Sequence, residues 1–142
     1  MRAAMATPEE DQRASHFRQL RWSLQSLATA GSDQPMLFPD SVVKPDALAA
    51  DFDHWSSVVR GNYQHDLSTS RADSLAAIDR AFATMSKDGA EFDLELWTEA
   101  ALVTSEQWAH IRRLATSALE AFDWPIENPS DHSGDQGRAF VR

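Results

Sequence analysis

One residue type and several sequence patterns are missing, and each absence excludes a class of site. Cysteine does not occur, so zinc sites built from thiolates, cysteine nucleophiles and thiol redox switches are excluded. No aliphatic run is longer than that of Ala100-Ala101-Leu102-Val103, far short of the roughly 20 apolar residues that cross a bilayer. The chain also lacks a glycine-rich phosphate loop and a Gly-x-Ser-x-Gly nucleophile elbow. We therefore expect no membrane contact and no bound cofactor.

Basic residues are scarce: 13 Lys and Arg stand against 22 Asp and Glu, a net charge of −9. Such a charge disfavours nucleic acid, which is bound by basic residues that displace its counterions. We expect a protein partner with a basic surface instead, although the same charge could serve solubility alone. Acidic residues begin at Glu9 with no apolar segment before them, so we expect no secretory signal and a cytoplasmic protein.

The apolar residues predict an all-α fold. They recur at three- and four-residue steps, and no segment shows the alternation or the β-branched enrichment of a strand. A chain of 142 residues can bury roughly 68–70% of its unfolded surface without a disulfide or a metal. We expect a compact bundle of four main amphipathic helices plus one short helix. Residues 1–126 would form this single domain, and residues 127–142 a flexible C-terminal tail.

Capping residues predict where the first two helices begin and end. Thr7-Pro8-Glu9-Glu10 predicts an N-cap at Thr7 and a capping box completed by Glu10. Gly31 predicts a left-handed stop for this helix. The second helix is expected from near Pro45 to Gly61-Asn62. The prolines of residues 31–45 predict an ordered, extended linker between the two.

The remaining helices are indicated by the same signals. Ser68, Thr69 or Ser70 can cap the third helix, which should stop at Gly89. A short helix is expected near residues 94–102. Thr104-Ser105-Glu106-Gln107 predicts a fifth helix, with Gln three residues after the cap, that ends before Pro125. The predicted core-facing stripes are Phe17, Leu20, Leu24 and Leu27; Leu48, Phe52, Trp55 and Val59; Leu75, Ile78, Phe82 and Met85; and Trp108, Ile111, Ala115, Ala118 and Phe122.

One grouping has the residue types of a metal site: Asp51 and His54 on the second helix, with Glu106 and His110 on the fifth. Carboxylate-bridged di-metal bundles aim such ligands inward from several helices. Three of these residues lie more than about 100° around the helix axis from the apolar stripes of their helices: Glu106, His110 and His54. Most of these side chains should therefore face solvent. A metal-dependent helical-bundle enzyme remains an alternative on these residues.

Two features indicate a protein partner. Residues 91–107 carry five acidic residues and no Lys or Arg, and Asp93, Glu95 and Glu99 are the candidates for docking a basic surface, if this stretch is more than a solvated face. Trp22 lies almost opposite the apolar stripe of the first helix. It is therefore either covered by a second layer, such as the linker or the tail, or exposed as an interface anchor.

The linker contains Gln34-Pro35-Met36-Leu37-Phe38. This segment resembles the Gln-x-x-Leu-Phe pentapeptide by which bacterial replication and repair proteins bind the sliding clamp, with Gln34, Leu37 and Phe38 matching and Pro35 replacing the usual leucine. The resemblance implies an extended segment that places two apolar side chains in a partner's cleft. The alternative is that Leu37 and Phe38 cover the end of the first two helices.

The leading functional hypothesis is a small acidic, non-enzymatic module that docks on a protein partner. It would act through the acidic stretch, Trp22 or residues 34–38. An antitoxin- or immunity-like inhibitor of a basic toxin is one form of it, because opposite potentials speed association. Besides the metal-dependent enzyme, a homo-oligomeric structural protein is a further alternative.

Overall fold

The computed structural model describes residues 7–129, and the regular secondary structure over that range is helical, with no strand. Four long α-helices and one short one confirm the predicted all-α bundle. The residues expected to form the flexible tail lie almost wholly outside the described residues, as do residues 1–6. The helices are α1 (Pro8–Ala28), α2 (Lys44–Asn62), α3 (Thr69–Met85), α4 (Glu99–Thr104) and α5 (Glu106–Ala121), with 3₁₀ turns at Gln34–Leu37, Gln64–Asp66 and Leu94–Trp97.

Helix α1 is the central element. The Thr7 hydroxyl accepts from the Glu10 backbone, and the Glu10 carboxylate accepts from the Thr7 backbone, so the predicted capping box is present. The C-terminal half of α1 is buried on all sides. The hydroxyls of Ser23 and Ser26 are satisfied there because each donates to a backbone carbonyl of the preceding turn, at 2.9 Å. Small, internally bonded side chains thus allow α1 to lie in the middle of the bundle.

The helices close three sides of the bundle and leave the fourth open. Helix α1 packs against both α2 and α5, and α5 also packs against α3, whereas α2 and α3 touch little. Helices α2 and α3 are joined by a short connection and linked by an ion pair, 2.7 Å from Arg60 Nη1 to Asp79 Oδ2. A groove lies between the first half of α2 and the second half of α3.

The core consists largely of the predicted apolar stripes. Every residue of these stripes is buried except Phe17 and Trp55, which are half-buried. Two tryptophans fix the segment between α3 and α4: Trp97 Nε1 donates to the Met85 carbonyl at 3.0 Å, and Trp108 Nε1 donates to the Leu96 carbonyl at 2.7 Å. Buried indole groups need such acceptors. The short helix expected near residues 94–102 is instead a 3₁₀ turn followed by α4.

The structure corrects the predicted helix ends. Helix α1 ends at Ala28, and no glycine in residues 7–129 has positive φ, so Gly31 and Gly89 are not left-handed caps. Glycine is required at position 31 for another reason: a Cβ there would lie 2.2 Å from the Leu102 carbonyl oxygen. The left-handed residues are Asp88 (φ 75°) and Asp123 (φ 60°), because aspartate tolerates this region better than most side chains.

The cap of α5 is also one residue later than predicted. Ser105 rather than Thr104 is the N-cap, and its hydroxyl accepts from the Trp108 backbone at 3.1 Å. Thr104 belongs to α4, where its hydroxyl donates to the Ala100 carbonyl. The predicted start of α2 near Pro45, its end at Asn62 and the Ser68 cap of α3 are confirmed. Among the helices of residues 7–129, none is long and apolar enough to cross a membrane.

Candidate functional site

The groove between α2 and α3 has a volume of about 840 Å³ and a mainly apolar lining. Its size lies within the range of known ligand sites, roughly 300–1,000 Å³. The aromatic side chains of Phe52, Phe82 and Trp97 line it from α2, from α3 and from the turn before α4. Phe82 lies 6.1 Å from Phe52 and 6.4 Å from Trp97 between ring centroids. These three rings lie at the base of the groove, with Phe52 fully buried, Phe82 8% exposed and Trp97 half-buried, and we call them the floor.

Alanine contributes to both walls of the groove. Ala49 and Ala50 line it from α2, and Ala83 lines it from α3. Their short side chains leave space between the two helices. The floor is nevertheless fixed, since Phe82 also packs edge-on against buried Trp108 at 5.6 Å.

Two large apolar side chains stand at the rim of the groove. Leu94 is 74% exposed and Phe92 is 40% exposed, and both line the groove. In the sequence they alternate with Glu91, Asp93 and Glu95. The apolar rim and the acidic stretch predicted as a docking surface are therefore the same segment.

Charged residues of opposite sign line the two walls. Asp46 and Asp53 line the groove from α2, and Arg80 and Lys87 line it from the α3 side. All four are exposed, and none takes part in an ion pair among residues 7–129. Asp79 also lines the groove, but Arg60 neutralises it. The walls therefore keep free charge on both sides of an apolar floor.

The three acidic candidates differ in their surroundings. The Asp93 carboxylate accepts from the Glu95 backbone at 3.0 Å and so caps the 3₁₀ turn at Leu94–Trp97. Glu95 is exposed. Glu99 begins α4 and lies 3.8 Å from the buried amine of Lys44. Asp93 and Glu95 thus flank the groove directly, whereas Glu99 links α4 to the start of α2.

The other predicted contact residues are covered within the fold. Trp22 is 2% exposed and packs edge-on against Phe38 at 5.9 Å between ring centroids, so the linker is one part of its cover. Gln34 is fully buried and its amide donates to the carbonyls of Ser26 and Leu27 at the end of α1. Leu37 is half-buried, and within the clamp-like segment only Met36 is strongly exposed. Clamp binding through Gln34 and Phe38 remains a prediction that would require this segment to leave the core.

The four metal-ligand candidates do not form one centre. No three His, Asp or Glu side chains of residues 7–129 are grouped closely enough to hold a metal ion. His54 packs against Trp55, with ring centroids 4.4 Å apart, and Asp51 lies on the same helix. Glu106 and His110 line a separate small pocket of about 230 Å³ between α3 and α5. The expectation that most of these side chains turn away from a shared core fits this arrangement.

The structure also reveals a histidine and aromatic cluster that the sequence did not indicate. His16 Nδ1 lies 2.9 Å from the Tyr63 hydroxyl, and the His16 ring lies 5.8 Å from Trp55. Burial, and then the charge of nearby His54, lower the pKa of His16 below its usual value. Beside it, Asp66 accepts a hydrogen bond from Arg13 at 3.0 Å, so this carboxylate holds the loop between α2 and α3 to α1.

The comparisons with known proteins add no function to this geometry. No family model, curated protein or solved structure matches the chain. Because function resides in particular sites rather than in a fold, a function for this chain has to be inferred from the residues of the groove between α2 and α3.

Proposed function

We propose that this chain is a small acidic protein-binding module whose docking site is the groove between α2 and α3. The observation that carries the proposal is the pair of exposed apolar side chains, Leu94 and Phe92, beside an aromatic floor. Contiguous apolar surface rimmed by charge typically marks an interaction site. Aromatic residues in a pocket are also the usual anchors of binding energy.

A partner with a basic surface fits the charge of this region. The chain has a net charge of −9, and the segment that carries Leu94 and Phe92 also carries Glu91, Asp93 and Glu95 without a basic residue. Opposite potentials would steer such a partner toward the groove and raise the rate of association. Inhibition of a basic protein, as by an antitoxin or an immunity protein, is one form of this proposal. A cytoplasmic site of action is part of it.

The first experiment is affinity capture from native lysate at low and moderate salt, followed by calorimetric titration with the purified partner. Wild type is compared with Leu94→Asp. Val103→Asp is the matched control, because Val103 is a 58% exposed apolar residue that does not line the groove.

We expect Leu94→Asp to weaken binding by about 10- to 100-fold, the equivalent of removing one apolar anchor. Val103→Asp should bind as wild type does, and the association rate should fall as salt rises. Equal affinity of wild type and Leu94→Asp would reject the groove as the docking site. A self-association lost in Leu94→Asp would instead favour the homo-oligomeric alternative.

A further inference from the structure

The arrangement of charges around the groove restricts what can occupy it. Asp46 and Asp53 are seven residues apart on α2, which places them two turns apart on one side of the helix, about 10.5 Å along its axis. On the opposite side, Arg80 lies in α3 and Lys87 just beyond its end. The apolar floor lies between an acidic wall and a basic wall.

This pattern resembles the flanks of a coiled-coil seam. There, charges on both sides of an apolar stripe select a helix whose own flanking charges are opposite in sign. Here the four wall charges are exposed and form no ion pairs among the described residues. They are therefore available to a ligand rather than committed to each other.

We propose that the occupant of the groove is an amphipathic α-helix of the partner with two differently charged edges. One edge carries two basic residues seven apart, which face Asp46 and Asp53. The other edge carries acidic residues, which face Arg80 and Lys87, and an apolar face between them contacts the floor. This inference rests on the proposed function and deepens it, since a purely basic ligand would meet repulsion at the α3 wall.

A helix fits this site better than an extended segment does. Both walls are helices, and residues 7–129 contain no β-strand whose edge an extended peptide could join. A third helix laid between α2 and α3 can pack its side chains against the alanines of the walls, in the helix-in-groove mode of recognition. The opposite signs of the walls would also fix the direction in which that helix lies.

Three designed peptides test the inference directly. All three are helical and share one apolar leucine face; the bipolar peptide has one basic and one acidic edge, the second has two basic edges, and the third two acidic edges. Their affinities for wild type are measured by fluorescence anisotropy at low salt. We expect the bipolar peptide to bind about tenfold more tightly than either of the others, from the summed effect of several exposed ion pairs.

Reversing one wall should switch this preference. In Arg80→Glu/Lys87→Glu both walls are acidic, so the peptide with two basic edges should become the tightest ligand. The residues changed are exposed, and Arg18→Glu/Arg113→Glu is the control, because these exposed arginines do not line the groove. The control should keep the wild-type order.

The other outcomes separate this inference from the proposed function. If the peptide with two basic edges binds wild type most tightly, the bipolar ligand is wrong while docking of a basic partner stands. If all three bind equally and all are lost in Leu94→Asp, the groove recognises only the apolar face, and the inference fails again. If no peptide binds, the inference is overturned, and the proposed function is decided by the lysate partner alone.

Discussion

Gly31→Ala is expected to destabilise the fold although it adds only one methyl group. The new Cβ would lie 2.2 Å from the Leu102 carbonyl oxygen and 2.8 Å from its carbon. Both are backbone atoms in α4, so no side-chain rotation can relieve the overlap. The start of the linker and α4 must move apart by about 1 Å to restore van der Waals contact.

The cost depends on the contacts that this displacement breaks. Inserting a methylene into a packed interior costs typically 1–3 kcal/mol. The Leu102 carbonyl also accepts a hydrogen bond of 2.7 Å from the Arg112 guanidinium, and weakening a bond to a charged donor adds to the loss. We expect the free energy of unfolding to fall by about 2–4 kcal/mol, and Tm to fall by roughly 10 °C for a domain of this size.

The matched control is Gly61→Ala. No atom lies within 4 Å of a Cβ at Gly61, which is in the last turn of α2. Alanine there should stabilise the protein by about 0.5–1 kcal/mol, because glycine has the greater backbone entropy when unfolded. Urea titration and thermal melting by circular dichroism measure both variants. A Gly31→Ala variant as stable as the wild type would show that Gly31 does not lie against the Leu102 backbone.

Three further predictions concern single interactions. Thr7→Ala removes the N-cap of α1 and its capping box, and the urea midpoint should fall by the equivalent of about 1 kcal/mol. Gln34→Leu removes the buried amide that donates to the Leu27 carbonyl and to the Ser26 carbonyl, of which the latter still accepts from the Thr29 backbone. The loss should be about 1–3 kcal/mol in the same assay. Unchanged stability would contradict a stabilising role for this amide. Burial and then His54 lower the pKa of His16 in the fold, so the unfolded chain takes up the proton first and stability should decline as the pH falls through the unfolded value near 6.5. NMR titration should find the pKa of His16 below that value and higher in His54→Gln; an unchanged pKa in His54→Gln would exclude the influence of His54.

The sequence was sufficient to predict the helices because local signals and burial agree there. Leu75, Ile78, Phe82 and Met85 are all buried, as their spacing predicts. Glycine predicts helix ends less well, because a glycine is required either for a left-handed backbone or for the close approach of another segment. At Gly31 the requirement is close approach to another helix, which depends on tertiary packing and leaves no local pattern. The burial of Trp22 also depends on tertiary packing, because Phe38, which packs against it, comes from the linker.

The groove could be predicted only in part. The spacing of Phe52 and Phe82 predicts that both face the core, and they do, but nothing local indicates a groove between α2 and α3. The acidic residues around Leu94 predict a docking surface. Only the structure shows that Phe92 and Leu94 are exposed beside them.

The groove results from how the bundle is connected. Helix α2 packs mainly against α1, and α3 mainly against α5. The two pairs of helices are therefore joined through the contact between α1 and α5, and little by direct contact between α2 and α3. On the α3 side, Trp97 and Trp108 pack around Phe82. The floor of the groove is therefore held in place by contacts with the core. A site formed in this way needs little reorganisation on binding, so more of the contact energy of Leu94 and the floor is available as affinity.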